Sequence, residues 1–301
     1  GWFAPLADSF SFDKPFQREV LAEGFTTFGG KLYSFPIFSF RQTATSLWYF
    51  KDGYAAAGGD AAAGPQTWEE ARRVAKAATK DGKYGMLLSL QFADRMTQHL
   101  VELAQAAGAS GAIDWKTGEY AYASQPFLDA LNFLLGFQQD GSLHPASSSL
   151  DARQGRARWA AGESLMFFDG PWNSGVLSGN FKEVIDGIDV VRVPYPEAAA
   201  GSSFTYRGPT TGTFFVSAQS KQVDLASDVL QQLTSEEYYV GLAERMDQPP
   251  LDLSAVEKAN VHPGYRKVVS GYADYVRLSP DALIRNPAIA QVYAEMKPVT
   301  P

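Results

Sequence analysis

The sequence predicts an α/β protein whose elements are spread over two lobes, on three observations. A chain of 301 residues, 45% of them hydrophobic, is long enough to build two lobes with real cores. Short apolar runs closed by Gly, Pro or Asp alternate with longer segments that carry helix caps and a helical apolar period. Finally, the apolar run 165–168 is stopped abruptly by Asp169-Gly170-Pro171, leaving Trp172 at the C-terminal end of a buried strand, where open α/β sheets hold their ligands.

From the front, Gly29-Gly30 reads as a turn and 32–35 as a short strand ended by Pro36, with a second strand at 46–50. Between them, residues 37–45 hold Arg41, Gln42 and Thr43 and form either a simple loop or a connection between lobes. Pro65-Gln66-Thr67-Trp68-Glu69-Glu70 marks a helix start, with Thr67 as N-cap and Glu70 placed to return a bond to it. That helix is expected to reach about Lys80, with Trp68, Ala71, Ala75 and Ala78 on one face and Glu69 opposite Arg73. Residues 84–90 read as a strand and 94–107 as a helix closed by Gly108. Gln91 and Asp94 fall at this strand-to-helix junction, where an α/β protein exposes side chains to ligands; Asp94 is equally suited to a plain N-cap.

Ser124-Gln125-Pro126 starts a helix whose apolar stripe is Phe127, Leu128, Leu131, Leu134 and Leu135, ending near Asp140-Gly141. A helix at 150–161 precedes the central strand. After Trp172, a helix around 181–185 leads through Asp186-Gly187 to a strand at 188–193, and the Gly-, Ser- and Ala-rich stretch 197–203 reads as a surface loop before a lobe crossing. Residues 207–213, Arg-Gly-Pro-Thr-Thr-Gly-Thr, precede a strand at 214–217, and Asp224 caps a helix to about Thr234. Beyond Arg245 the chain turns through Gln248-Pro249-Pro250 and becomes helical in short pieces, with Ser279-Pro280 and Asn286-Pro287 as starts. No repeat at a solenoid period is visible.

Composition excludes several function classes. The net charge of −7 argues against nucleic-acid and anionic-membrane partners, which would want a basic face. No stretch of 18 or more apolar residues is present. The absence of cysteine rules out disulfides, thiolate metal sites and a Cys nucleophile together. Gly208 and Gly212 permit close backbone approach to a ligand, yet lack the following Lys-Ser or Lys-Thr of a phosphate loop. His99, His144 and His262 are isolated and read as surface or loop residues, so neither a metal nor a catalytic triad is expected, and no cofactor. No leader peptide opens the chain, and its first residues, Gly-Trp-Phe-Ala-Pro-Leu-Ala-Asp, read as the middle of a fold.

Taken in order, five segments resemble the extracellular solute-binding proteins of ABC transporters, in the carbohydrate-binding group that includes maltose-binding protein. They are Gly30-Lys31-Leu32-Tyr33-Ser34-Phe35-Pro36; Leu47-Trp48-Tyr49-Phe50-Lys51-Asp52, with Phe50 where the group usually has Asn; Pro65 to Glu70; Gly162-Glu163-Ser164-Leu165-Met166 running into Gly170-Pro171-Trp172; and 212–217 followed by Ser220-Lys221 and the helix to Glu237. Each is loose alone, and the five in order are specific. The resemblance implies two α/β lobes, joined by crossing segments, that close over a small solute and present it to a membrane permease. It places the crossings near 38–45, 200–207 and 246–250. Lobe I is then 1–42 plus 204–247, and lobe II is 43–203 plus 248–301. It further implies a monomer outside the cytoplasm, periplasmic or membrane-anchored. The group normally continues before Gly1 and after Pro301, so the resemblance implies a chain clipped at both ends, with lobe I lacking its opening strands.

Carried over by position, Trp172 matches the group's stacking aromatic, Arg41 to Thr43 a polar crossing, Gln91 to Arg95 strand-end contacts, and Gly208 to Gly212 a loop of the first lobe. These types suit a sugar, which has an apolar C–H face and a ring of hydroxyls and needs an aromatic platform with fixed donors and acceptors. Trp172 is the expected platform, with Asp94, Asp169, Arg41, Gln42 and Gln91 as the expected donors and acceptors and Arg95, Thr43, Gly208, Thr211 and Gly212 as the further positions the resemblance implies. Trp172 taken alone also suits a core or rim anchor, and Asp169 beside Gly170 a turn. Arg41 and Arg207 either pair acids across the hinge or receive an anionic solute. Two rival readings remain: a glycosidase using Glu163 with Asp169, and a ligand sensor serving a membrane receptor.

Overall fold

The computed structural model describes residues 2–23, 25–113, 119–208 and 213–278. The chain opens with β1 (Phe3–Ala4), α1 (Pro15–Arg18), β2 (Thr27–Phe28), β3 (Lys31–Leu32) and β4 (Ser34–Pro36). Residues 37–45 carry it into β5 (Ser46–Phe50), α2 (Lys51–Ala56), α3 (Trp68–Ala78), β6 (Tyr84–Leu87), α4 (Ala93–Ala106) and α5 (Gln125–Gln139). There follow α6 (Ala152–Ala160), β7 (Ser164–Asp169), α7 (Asn173–Asn180), β8 (Ile188–Val191) and β9 (Thr205–Arg207). The chain then runs through β10 (Thr213–Ser217), α8 (Val223–Gln232) and α9 (Glu236–Met246) into α10 (Pro263–Ser270), α11 (Tyr272–Tyr275) and β11 (Val276–Leu278).

Two sheets organise these elements. One is antiparallel, in the order β1-β10-β4, and its core joins Phe35, Ile37 and Phe40 to Val216, Leu230, Tyr239 and Leu242. The other has the order β6-β7-β5-β8, with β6, β7 and β8 running one way and β5 the other. Both of its faces are buried. Leu47, Tyr49, Met166 and Phe168 join one core with α3, α4 and α5, whereas Trp48 and Phe167 join another with Trp159, Tyr265, Val268 and Tyr272. A strand covered on both faces needs no polar alternation, which is why 165–168 is apolar throughout.

The paired crossing segments give the fold its hinge. Ser39 N–H donates to the Pro249 carbonyl at 2.8 Å and Leu251 N–H to the Ile37 carbonyl at 3.2 Å, so 37–39 and 249–251 run antiparallel between the two sheets. Strand β9 pairs in parallel with β11, and Tyr206 N–H donates to Gln105 Oε1 of α4 at 3.0 Å, so 205–207 sit with the second sheet's helices.

Several local expectations are corrected by packing. On α5 the buried face is Phe127, Ala130, Phe133 and Phe137, while Leu128, Leu131 and Leu135 of the expected stripe are exposed. The aromatics fill more volume, and Phe133 stacks on Trp68 at 4.9 Å, which fixes the rotation of the helix. The helix expected at 181–185 lies earlier, at α7, where two glycines in Asn-Ser-Gly-Val-Leu-Ser-Gly-Asn weaken its helical signal. Glu69 accepts from Glu197 N–H instead of facing Arg73, whose Nη1 donates to the Gly58 carbonyl. The helix starts proposed at Pro280 and Pro287 lie outside the described residues.

Helix α3 packs on β6 so closely that a Cβ at Gly85 would collide with the Ala75 backbone. Backbone cannot step aside as a side chain can, and overpacking of this kind costs about 1 to 3 kcal/mol. Gly85→Ala is therefore expected to lower the urea midpoint by that equivalent, and an unchanged midpoint would show that α3 does not bear on β6 in this way.

Candidate functional site

Because β6, β7 and β8 are parallel and β5 is antiparallel, three strand C-termini and the entry of β5 meet at one sheet edge. Ser46 lies opposite Asp169 and Leu47 opposite Val191. The crossing segment 37–45, the start of α4, the turn into α7 and Arg192 are thereby delivered to a single place. Strand C-termini are where open α/β sheets bind ligands.

Asp169 ends β7 only 3% exposed, and its carboxylate accepts every donor around it. Oδ1 receives Gly170 N–H at 2.8 Å, Trp172 Nε1–H at 3.1 Å and Arg156 Nη2–H at 3.2 Å, while Oδ2 receives Arg156 Nε–H at 2.5 Å. Its role is to hold the turn and the indole. Trp172 is half-buried, with its polar edge engaged by Asp169 and its six-membered ring lying across Gly170, where any side chain would collide with it. The Arg95 guanidinium stands over the same ring at 4.6 Å and over Phe92 at 5.6 Å. Trp172, Asp169 and Arg95 thus form one contact group, assembled from the ends of two adjacent parallel strands.

The other expected residues are dispersed around it. Arg41 pairs with Glu19 at 2.7 Å and lies over Phe40 at 4.7 Å. Gln42 is 5% exposed, and its Oε1 meets no donor among the described residues. The Thr43 hydroxyl lies 3.4 Å from that of Tyr272, whose burial pushes its pKa up to about 12. Gln91 and Asp94 are exposed, and Asp94 is not the cap: α4 begins at Ala93 after Phe92, leaving Asp94 to favour the positive end of the helix. Gly208 follows β9 directly, and Thr211 and Gly212 lie outside the described residues.

Behind this edge lies a polar layer that the sequence reading missed. Glu102, 2% exposed on α4, accepts from Ala44 N–H and from Arg207 Nη1–H, both at 3.0 Å, and so ties a crossing segment and β9 to one helix. His99, 2% exposed, corrects the surface assignment: its Nδ1 is 2.8 Å from Thr45 Oγ1, and burial, reinforced by nearby Arg95, keeps its pKa well below the ordinary value, so the ring is neutral. His144 is also buried, and both it and His262 cap helices, accepting from Ala146 and Gly264 N–H. Asn173, fully buried beside Trp172, has no partner for either amide atom among the described residues. Glu102 and His99 escaped notice because their partners lie far away in sequence.

The carboxylate pair proposed for a glycosidase does not assemble. Glu163 precedes β7 and bonds to Arg158 and His144, whereas Asp169 ends it. Six residues of strand separate them by roughly 20 Å, beyond the about 9.5 Å such a pair can span. A hollow of about 570 Å³ lies elsewhere, between α3 and α5, lined by Trp68, Arg72, Asp140 and Phe133. Its aromatics are locked in their stack and Arg72 is paired with Asp140, so the sheet edge is the better candidate. No group of acidic or His side chains that could hold a metal occurs among the described residues, and no helix there is long and apolar enough to cross a membrane.

Asp247 links the third crossing to this edge. It ends α9 in the left-handed region at φ 49°, and its Oδ1 accepts from Ser174 Oγ–H at 2.7 Å. Burial raises its pKa, against the Ser174 bond. The folded chain therefore holds this proton to higher pH than the unfolded chain, so the charged form costs stability at neutral pH, and the cost fades as pH falls from the raised folded value to the unfolded one. Asp247→Asn is expected to raise the denaturant midpoint at neutral pH, with the gain shrinking toward about pH 4; a gain equal at both pH values would contradict this.

The chain has counterparts among known proteins. The model of the family described as bacterial extracellular solute-binding protein matches residues 1–240. No curated protein sequence matches the chain. Among solved structures, the GacH receptor of Streptomyces glaucescens, studied unliganded and with acarbose, is similar at 19% identity and a TM-score of 0.71, covering 99% of this chain and 73% of that one. An ABC-transporter solute-binding protein from Thermotoga lettingae, bound with α-D-tagatose, aligns at 18% identity and a TM-score of 0.72, over 99% of this chain and 74% of that one. A structure from work on xylan utilization by Caldanaerobius polysaccharolyticus aligns at 20% identity and a TM-score of 0.70, over 97% and 74%. At these identities the likeness establishes the two-lobe fold.

Proposed function

The chain belongs to the family of bacterial extracellular solute-binding proteins, and from that premise we propose that it binds a sugar or related small solute between its lobes and delivers it to an ABC-transporter permease. The family is extracytoplasmic and non-catalytic, so the chain is a binding protein rather than an enzyme. The similar structures bound with acarbose and tagatose support a carbohydrate as the solute.

The observation that carries the reading is the presentation of Trp172. Its N–H is already donated to Asp169 and its ring carries the Arg95 guanidinium at 4.6 Å, so a sugar would meet indole and guanidinium together, at the edge where three strands end and a crossing segment enters. An aromatic ring covers the C–H face of a pyranose, and polar groups fixed around it select among hydroxyl patterns, since each buried hydroxyl left unpaired costs about 1 to 3 kcal/mol. Gln42 and Asn173, both buried with unpartnered amide atoms, stand near this edge in sequence and are the groups we assign to that selection.

Binding closes the lobes only if the solute contacts both, because a ligand without differential affinity shifts no equilibrium. Arg41 and Gln42 of the first crossing supply the first lobe's side in this reading. The closed form is what the permease recognises.

The test is a thermal-shift screen of the protein against neutral and charged mono- and oligosaccharides, with product analysis on each hit. A sugar that raises the melting temperature and is recovered unchanged is expected. Trp172→Ala is expected to weaken calorimetric affinity for that sugar at least tenfold, about 1.4 kcal/mol, without altering the melting temperature of the free protein by a comparable amount. Undiminished affinity in the variant would remove Trp172 from the site.

A further inference from the structure

Arg41, Arg156 and Arg207 each face a carboxylate, at 2.7, 2.5 and 3.0 Å respectively. Arg95 differs. Its only hydrogen bond to a side chain among the described residues is to the neutral Gln98, at 3.3 Å, and its guanidinium is spread over Trp172 and Phe92. It is half-buried, and removal from water pulls its pKa below the ordinary arginine value, although Asp169 and Glu102 act in the opposite sense. Both of those carboxylates are engaged by other arginines. The groups that act on Arg95, namely Arg156, Arg207, Asp169 and Glu102, make with it three cations and two anions, while the neighbouring Asp94 is exposed to solvent. The chain as a whole carries −7, so this excess is local to the edge.

We propose that Arg95 reads an anionic oxygen group, a carboxylate or a phosphate, on the solute that lies against Trp172, so that acidic sugars are the preferred ligands. This rests on the sugar-binding reading above and specifies its substrate class.

The physical reason is the imbalance. Among the described residues this partly withdrawn guanidinium stacks on rings, hydrogen-bonds to an amide and has no ion pair of its own, and charge-assisted hydrogen bonds to an oxyanion are roughly twice as strong as neutral ones. Its planar fork matches a carboxylate or phosphate in two parallel bonds. Since the guanidinium stands 4.6 Å from the Trp172 ring, anything stacked on that indole is within its reach. Cation–π contact holds the planar group over the ring and limits the entropy lost when it binds. The placement of Arg95 in the first turn of α4, beside the start of α7, adds the positive ends of two helices at the same strand termini.

Calorimetry on the whole protein tests this with matched probes: glucose, galactose, maltose and lactose against glucuronate, galacturonate, digalacturonate and glucose 6-phosphate. At least one acidic probe is expected to bind tenfold or more tightly than its neutral counterpart, and the better of uronate and phosphate identifies the anionic group. Arg95→Gln is expected to abolish that preference, and Arg95→Lys to retain part of it, which separates charge recognition from damage to the fold. Neutral probes binding as tightly as acidic ones would overturn the proposal and leave the sugar reading standing. Binding of no probe in either class would overturn both, and a preference that survives Arg95→Gln would overturn the assignment to Arg95.

Discussion

The candidate site is organised around one carboxylate. Asp169 stands where β7 ends, and its two oxygens accept from the turn that follows, from the indole three residues on and from an arginine of the preceding helix. A buried carboxylate is tolerable only when its lone pairs are filled, so these four contacts are mutually dependent. Without Arg156 the charge is uncompensated; without Asp169 the indole loses the bond that orients it. The direction of Trp172 thus follows from strand, turn and helix together, which is the form of preorganisation a binding surface needs.

A second carboxylate performs the corresponding task for the hinge. Glu102 fixes the backbone of Ala44 and the side chain of Arg207, so the first crossing segment and the strand before the next are referred to the same helix that carries Arg95. Asp247 reaches α7 through Ser174 from the third. Movement of one lobe against the other must accommodate these links, and the groups proposed to contact solute share α4 and α7 with them. That arrangement supplies a physical route by which a bound solute can bias the equilibrium between open and closed forms.

Much of the fold was legible where the signal is local. The apolar run before Trp172, the cap at Thr67, which accepts from Glu70 N–H at 3.2 Å, and the strand Ser46–Phe50 all depend on neighbours in sequence. Two of the misreadings come from distant contacts. The rotation of α5 is set by Trp68 across a gap of more than sixty residues, and the burial of His99 by Thr45 from a crossing segment. Trp172, which alone suits a core or rim anchor equally well, could be singled out because an apolar run stopped by Asp169-Gly170-Pro171 precedes it. The state of Arg95 could not, because nothing local reveals which acids are already paired with other arginines. Arg41 and Arg207, left open between hinge pairing and anion capture, proved to be paired.

The central claim is that a ring pinned by Asp169 at the second sheet's edge is the surface on which solute rests. Crystallography of the protein grown with the sugar that gives the largest thermal shift tests this most directly. The account predicts density for the sugar lying parallel to the Trp172 indole within about 4 Å, with Nε1 still bonded to Asp169. Ordered sugar in the hollow between α3 and α5, with nothing against Trp172, would contradict it.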